Sequence, residues 1–397
     1  MLKRYKLKNY NFLLVILLIT ISTIGVLLIG SAAREYQSRQ LIGVITGLIL
    51  MVVISLIDYS WILNFSWILY VLNLVLLVIL KTGFGEENLG ATRWLNIGGF
   101  QFQPTEIAKI ILIIFFAMFL MKHEDDLNTA KTIFKAIGLL LLPLVLVLTQ
   151  PDLKNTITIS VVFCAMMYLA GLSYKVIGGV LAVVVPMLLI VFFIITQTDF
   201  QLPEPLDDAI GYQLDRIRTW NDPEAEENSS GAIQQNNSIT AIGSGQLTGK
   251  GLNNNSVSSA NKGNFVAEIH NDFIFAVAGE ELGFIGCCAI ILILSLIVVQ
   301  CIRIGRRAKD VAGMLIACGV GTLVAFQSFL NISVATGLLP NTGTTLPFVS
   351  YGLTSLWTFF MGMGFVLNVG LQNRNFLTRN EELLKKKDVY EHRMHRM

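Results

Sequence analysis

The sequence predicts an all-α polytopic membrane protein of about ten transmembrane helices, with one large extracellular loop between helices 7 and 8. Three observations carry this. The 397 residues are 54% hydrophobic and 14% charged, where soluble domains carry about 25% charged residues. Mean hydropathy is +0.64. About ten apolar stretches reach the roughly twenty residues that a bilayer core requires.

In chain order the spans are expected near 11–31, 39–57, 64–81, 105–121, 132–149, 156–172, 175–197, 272–301, 311–338 and 353–372. The first has a basic flank like a signal peptide. It is too long for a signal h-region and lacks an A-x-A site, so it reads as a span. Pro143 and Pro186 fall inside spans and are candidate kinks. Residues 1–373 form one membrane domain, and 374–397 read as a basic cytoplasmic tail.

Orientation follows the Lys and Arg of short loops. Lys3, Arg4, Lys6 and Lys8 precede the first span. Arg303, Arg306, Arg307 and Lys309 follow the eighth, and Arg374, Arg379, Lys385, Lys386 and Lys387 lie in the tail. All three groups fall on one side, so both termini are expected in the cytoplasm and the loop at 199–271 outside. That loop holds ten acids against Arg216, Arg218, Lys250 and Lys262. Its segment 222–235 reads as polar and mobile. Its glycine-rich segment 241–252 can bring backbone close to a ligand, but lacks the P-loop pattern.

Several chemistries are not indicated. Net charge is +2, which gives no basic patch for nucleic acid. The five cysteines lie in or beside apolar spans without CxxC spacing. The four histidines do not cluster, and HExxH is absent.

The polar islands converge on the outer leaflet. Glu106 and Lys109 lie one turn apart at the start of the fourth span. They are either an ion pair that offsets its own burial or an intramembrane polar site. Gln150-Pro-Asp152 closes the fifth span as a capped turn or a site. Arg93 is a headgroup contact or a solvated charge, beside Trp94 as an interfacial anchor. Asp272 stands at the polar–apolar boundary, as a helix cap or as a functional acid. Of Glu280 and Glu281, about 12–13 Å deeper, one is expected to be buried and paired. Gln327 and Asn331 read as polar ties within the ninth span.

Taken together, the motifs are recognisable. Gly90-Ala-Thr-Arg-Trp94, Gln103-Pro-Thr-Glu-Ile-Ala-Lys109, Gln150-Pro-Asp152, Tyr212-Gln-Leu-Asp-Arg-Ile217, Ala241-Ile-Gly-Ser-Gly245, His270-Asn-Asp-Phe-Ile-Phe-Ala276, Gly279-Glu-Glu-Leu-Gly283 and Leu346-Pro-Phe-Val-Ser-Tyr-Gly352 occur in order. The chain resembles the SEDS family (shape, elongation, division and sporulation) over roughly 11–373. It departs from the family pattern at Val266-Ala-Glu268, His270-Asn-Asp272 and Ser350-Tyr-Gly-Leu-Thr-Ser355. The short stretch before the first span leans toward the RodA type.

The resemblance implies a bacterial peptidoglycan glycosyltransferase that polymerises lipid II, with roles in elongation, division or sporulation. It places the family's essential acid at Asp272, which the chemistry suits as general base. Arg93, Lys109, Arg216 and Arg218 become candidate pyrophosphate contacts. Glu106 and Asp152 would orient Lys109 or hold a divalent cation such as Mg2+ or Mn2+. Glu268, His270 and Ser350 are supporting candidates. The implied partners are lipid II, undecaprenyl-linked glycan and a class B penicillin-binding protein with transpeptidase activity. A lipid II flippase or other transporter, and a non-catalytic scaffold for the transpeptidase, are the alternatives.

Overall fold

The computed structural model describes residues 9–80, 85–88, 91–97, 100–150, 152–197, 204–222, 230–253 and 269–372. Each expected apolar stretch is a helix. These are α1 (Phe12–Ala32), α2 (Arg34–Leu56), α4 (Ser66–Ile79), α5 (Pro104–Lys122), α6 (Ala130–Leu148), α7 (Leu153–Leu169), α8 (Tyr174–Gln197), α11 (Ile274–Arg306), α12 (Val311–Ala335) and α13 (Leu353–Leu371). A short α3 (Tyr59–Leu63) joins α2 to α4. Among the described residues, seven helices are long and apolar enough to cross a membrane: α1, α2, α5, α6, α11, α12 and α13. The apolar α4 and α7 are shorter, at 14 and 17 residues. The chain is a multi-pass membrane protein. The proposed tail at 374–397 lies outside the described residues.

Burial separates a centre from a rim. α13 buries 83% of its most apolar window and α6 only 28%. α5, α12 and α13 form the centre, and α2 packs closely along α13. Small residues make that seam: a Cβ on Gly364 would stand 2.8 Å from Met51 O, and one on Gly47 2.3 Å from the Phe360 ring. Close backbone approach of this kind supplies packing where lipid removes the hydrophobic drive between helices. On the outside of α2, Ile42, Ile45, Ile49 and Val53 are exposed. An apolar stripe of that length suits acyl chains rather than water.

Two parts of the fold differ from expectation. Residues 85–102 contain a three-stranded antiparallel sheet, with β1 (Gly85–Asn88), β2 (Ala91–Ile97) and β3 (Phe100–Phe102) in that order. Leu95 pairs with Phe102 across it. The long loop carries two helices, α9 (Glu204–Asn221) and α10 (Ser230–Ser244). α10 begins inside the segment expected to be mobile. Its buried stripe is Ala232, Gln235, Ser238 and Ala241, too polar for an apolar-period search. The stripe is used for hydrogen bonding. Gln235 Nε2 donates to Val334 O (2.9 Å) and Leu339 O (2.7 Å), and Ser238 Oγ to Ala335 O (2.8 Å). Val334 and Ala335 carry carbonyls at the C-terminus of α12, where the helix has no internal donors, and Leu339 lies in the loop just beyond.

The break in the bundle falls at Gly283, whereas Pro143 and Pro186 sit inside continuous α6 and α8. Gly283 has φ 66° and ψ −167°, a combination essentially restricted to glycine. The glycine-rich segment docks on this break. Lys250 N donates to Glu280 O (2.9 Å) and Gly251 N to Glu281 O (3.0 Å), while Phe284 N donates to Gln246 O (2.9 Å). Both acids are buried and both are bonded: Glu280 pairs with Lys250 at 2.8 Å, and Glu281 accepts from Ser31 Oγ.

The docking leaves no room for a side chain at Gly245, where a Cβ would stand 1.9 Å from Gly279 O. Two residues earlier, Gly243 faces open space. Gly245→Ala should therefore lower stability by about 1–3 kcal/mol, the usual effect of overpacking. Gly243→Ala should be neutral or stabilising by about 0.5–1 kcal/mol through helix propensity. Thermal unfolding of both variants in detergent checks the pair, and equal melting temperatures would contradict the docking.

Candidate active site

Asp272 sits in the turn at 269–273 that leads into α11. The helix cap is Phe273, with no side-chain capping bond. Asp272 is therefore one residue outside the helix. Phe273 and Ile274 are buried and fix the chain entering the bundle. Asn331 of α12, fully buried, fixes the residue itself. Its Nδ2 donates to Asp272 O (2.7 Å) and to Thr344 O (2.6 Å). One carboxamide thus ties the acid's backbone to the loop at 336–352 that precedes α13.

That loop presents Gly343 in a left-handed conformation, φ +70°. A Cβ built there would lie 3.2 Å from Asp272 Oδ2, 3.8 Å from Arg216 Nη1 and 3.8 Å from Lys154 Nζ. Three charged groups from α7, α9 and the turn before α11 thus converge on one glycine. Two are held by the loop backbone: Lys154 Nζ donates to Gly343 O, and Arg216 Nη1 donates to Asn341 O (2.9 Å). The arrangement has one carboxylate able to accept a proton and two cations able to face an anion.

Lys154 was not among the sequence candidates. A signal was available two residues beyond Gln150-Pro-Asp152. Lys154 stands in the first turn of α7, where the helix dipole disfavours a cation.

Glu106 and Lys109 form a separate, enclosed pair. Their charged atoms are 2.9 Å apart, with exposures of 4% and 2%. Lys109 Nζ also donates to Gln327 Oε1 (3.0 Å) and lies 5.8 Å from the Phe359 ring centroid. Gln327 Nε2 in turn donates to Thr345 O (3.3 Å) and Thr345 Oγ1 (3.2 Å). The pair therefore supports the Gly343 loop from inside the bundle. Asp152 does not orient Lys109. It caps α7 and accepts from Asn155 Nδ2 (2.8 Å), Thr105 Oγ1 (3.2 Å) and Gln103 Nε2 (3.4 Å), which joins the starts of α5 and α7.

These surroundings do not suit a divalent cation between Glu106 and Asp152. A cation needs acceptor oxygens around it, whereas the two carboxylates here face amide, hydroxyl and ammonium donors. Among the described residues no group of three or more His, Cys, Asp or Glu is placed to hold a metal.

The other candidates disperse. Ser350 organises its turn: Leu346 N donates to its Oγ (2.7 Å), and Gln40 Nε2 donates to its carbonyl (3.2 Å). His270 stacks on Tyr36 with ring centroids 4.6 Å apart, and its carbonyl accepts from Tyr351 N (3.0 Å). Arg218 pairs with Asp215 on α9 at 3.8 Å. Arg93 lies on β2, but its side chain lies outside the described residues, as does Glu268.

If the buried pair is a support, breaking half of it should hurt more than removing both members. Glu106→Leu alone should cost about 3–5 kcal/mol by stranding Lys109, while Glu106→Leu with Lys109→Met should recover most of that loss. Melting temperatures of the two variants decide this, and additive losses would rule out the pairing.

Comparison with known proteins agrees with this architecture. The probable peptidoglycan glycosyltransferase FtsW of Geobacter metallireducens is 32% identical over 377 residues, covering 92% of this chain and 95% of that one. Stage V sporulation protein E of Bacillus subtilis is 33% identical over 380 residues, covering 92% and 98%. In fold, the chain is similar to a component of a peptidoglycan synthase complex that coordinates polymerization and crosslinking. The TM-score is 0.72 at 24% identity, with 91% of this chain and 97% of that one covered. The rod shape determining protein RodA of Thermus thermophilus matches with TM-score 0.65 at 24% identity, covering 92% and 98%. A family model described as "Cell cycle protein" matches residues 5–375, and the chain belongs to that family of FtsW, RodA and SpoVE proteins.

Proposed function

We propose that this chain is a peptidoglycan glycosyltransferase that polymerises lipid II at the outer face of the bacterial cytoplasmic membrane, in elongation or division, with Asp272 as general base. The observation that carries the reading is the convergence of Asp272, Lys154 and Arg216 on Gly343. The names of the family's relatives supply the reaction class.

The chemistry divides among these residues. A sugar hydroxyl is a weak nucleophile, and a carboxylate within hydrogen-bond reach raises its reactivity by taking its proton as the bond forms. The acceptor 4-oxygen attacks C1 of the donor sugar, the C1–O bond to phosphate breaks, and its electron pair leaves on the pyrophosphate. The proton passes to Asp272. Negative charge develops on the leaving group, and fixed cations stabilise it most where they need no reorganisation. Lys154 and Arg216 are held by backbone carbonyls of one loop, so they are fixed before substrate arrives. Glu106, Lys109, Gln327 and Asn331 hold that loop and do not touch substrate. Both reactants are lipid-linked, which suits a site at the membrane boundary. A class B penicillin-binding protein is the proposed partner for crosslinking.

Asp272→Asn should lower lipid II polymerisation by about 10²–10⁴-fold. Lys154→Gln should lower it by about 10²-fold, the scale of one charge-stabilising donor. Both should keep the wild-type melting temperature within a few degrees. The assay uses purified chain with its transpeptidase, whose catalytic serine is replaced, and also the chain alone. Near-normal polymerisation by the Asp272→Asn protein would refute the base. Equal rates with and without the transpeptidase would show that the partner does not activate.

The orientation has its own test. With the five native cysteines removed, Ser229→Cys should react with an impermeant maleimide in intact cells and Lys386→Cys should not. Labelling at 386 alone would invert the topology and place Asp272 on the wrong side of the membrane for this reaction.

A further inference from the structure

At the end of α11 opposite Asp272, a cavity of about 230 Å3 opens between the start of α1, the last turns of α11 and the end of α13. It is lined by Asn9, Asn11, Gln300, Arg303, Arg307 and Gly370, with Ile304 beside them. From this pocket we infer a binding site for the phosphate of an anionic phospholipid headgroup, separate from the site of polymerisation.

The donors of this lining outnumber its acceptors, of which the Asn9 side-chain oxygen is one. Arg303 and Arg307 are four residues apart and share a helix face, where like charges repel. Neither makes an ion pair or side-chain hydrogen bond with any described residue. Gln300 is 4% exposed. Its Oε1 is taken by Asn11 Nδ2 (3.2 Å), and Asn11 Oδ1 is taken by Leu14 N (3.0 Å). The side-chain acceptors of Asn11 and Gln300 are therefore engaged, while the Gln300 Nε2 donor and two guanidinium groups remain. Such a set calls for an anion with several oxygens, and guanidinium matches phosphate geometry in particular.

Arginines at a helix C-terminus or in a cytoplasmic loop need no cavity to serve dipole or topology. What those roles leave unexplained is the buried carboxamide of Gln300 in the wall of the cavity. Ile304 and Gly370 add an apolar floor. On the orientation given above, this end lies in the inner leaflet, where basic pockets between helices meet anionic lipids. A lipid is favoured over free phosphate because the pocket opens among span ends, beside acyl chains.

The test is thermal unfolding of the purified full-length chain in detergent, titrated with dihexanoyl phosphatidylglycerol, dihexanoyl phosphatidylcholine or inorganic phosphate. A ligand that binds only the folded state raises the melting temperature with concentration. The glycerol lipid should stabilise at concentrations where the choline lipid does not. Arg303→Gln with Arg307→Gln should raise its apparent Kd at least tenfold. Both side chains are exposed, so the variant should fold; Arg307→Gln alone, with a smaller loss, is the second variant. Unchanged affinity in both variants, or equal stabilisation by both lipids, would overturn the site. Inorganic phosphate binding as tightly as the lipid would overturn the headgroup. Polymerisation is not the readout, so failure here is distinct from failure at Asp272.

Discussion

Carbonyl groups released where helices end or break inside a bundle have to find protein donors, because lipid offers none. Much of the half of this molecule around Asp272 follows from that constraint. α12 ends within the bundle, and α10 supplies Gln235 and Ser238 to its last carbonyls. α11 breaks at Gly283, and the backbone of 246–251 closes the gap. The loop before α13 has no ladder of its own, so Gln327 and Asn331 reach out of α12 to hold it. Segments that carry polar chemistry are thereby fixed by hydrogen bonds whose donors sit on rigid helices. Precision of that kind is what a catalytic constellation requires.

Charge in this protein is used in two ways. Glu106–Lys109 and Glu280–Lys250 each enclose at least one buried charge with its partner at short range. Pairs of this sort contribute little net stability against an apolar alternative, but losing one partner is costly. Around Gly343 the balance differs. Lys154 and Arg216 each use a neutral carbonyl of the loop as a support, beside the Asp272 carboxylate. A carbonyl support fixes a cation in place before anything binds beside the glycine.

The ten helices were legible because apolar length is a strong signal. Asp272 stands out in the sequence because a charge beside an apolar span is conspicuous, and the structure sets it beside Lys154 and Arg216 at Gly343. What escaped was written in residues without an apolar period. α10 buries Ala, Gln and Ser rather than Leu and Ile, so its sequence reads as coil. The small sheet at 85–102 depends on pairing partners that no local pattern reveals. Asp152 and Lys109 looked like neighbours because both lie at outer helix starts. Packing turned one toward Thr105 and Asn155 and the other toward Gln327. Lys154 was hidden by a motif boundary drawn two residues too early.

Asn331 grips the main chain of Asp272, leaving its carboxylate out of that bond. The strength of the grip is therefore insensitive to whether the acid is charged or neutral. An acid anchored through its own oxygens would loosen each time it took up a proton, and its position would drift within every turnover. Here the bond from Asn331 holds the main chain and not the carboxylate. As the base proposed above, Asp272 would keep its main chain in the same place in either ionisation state.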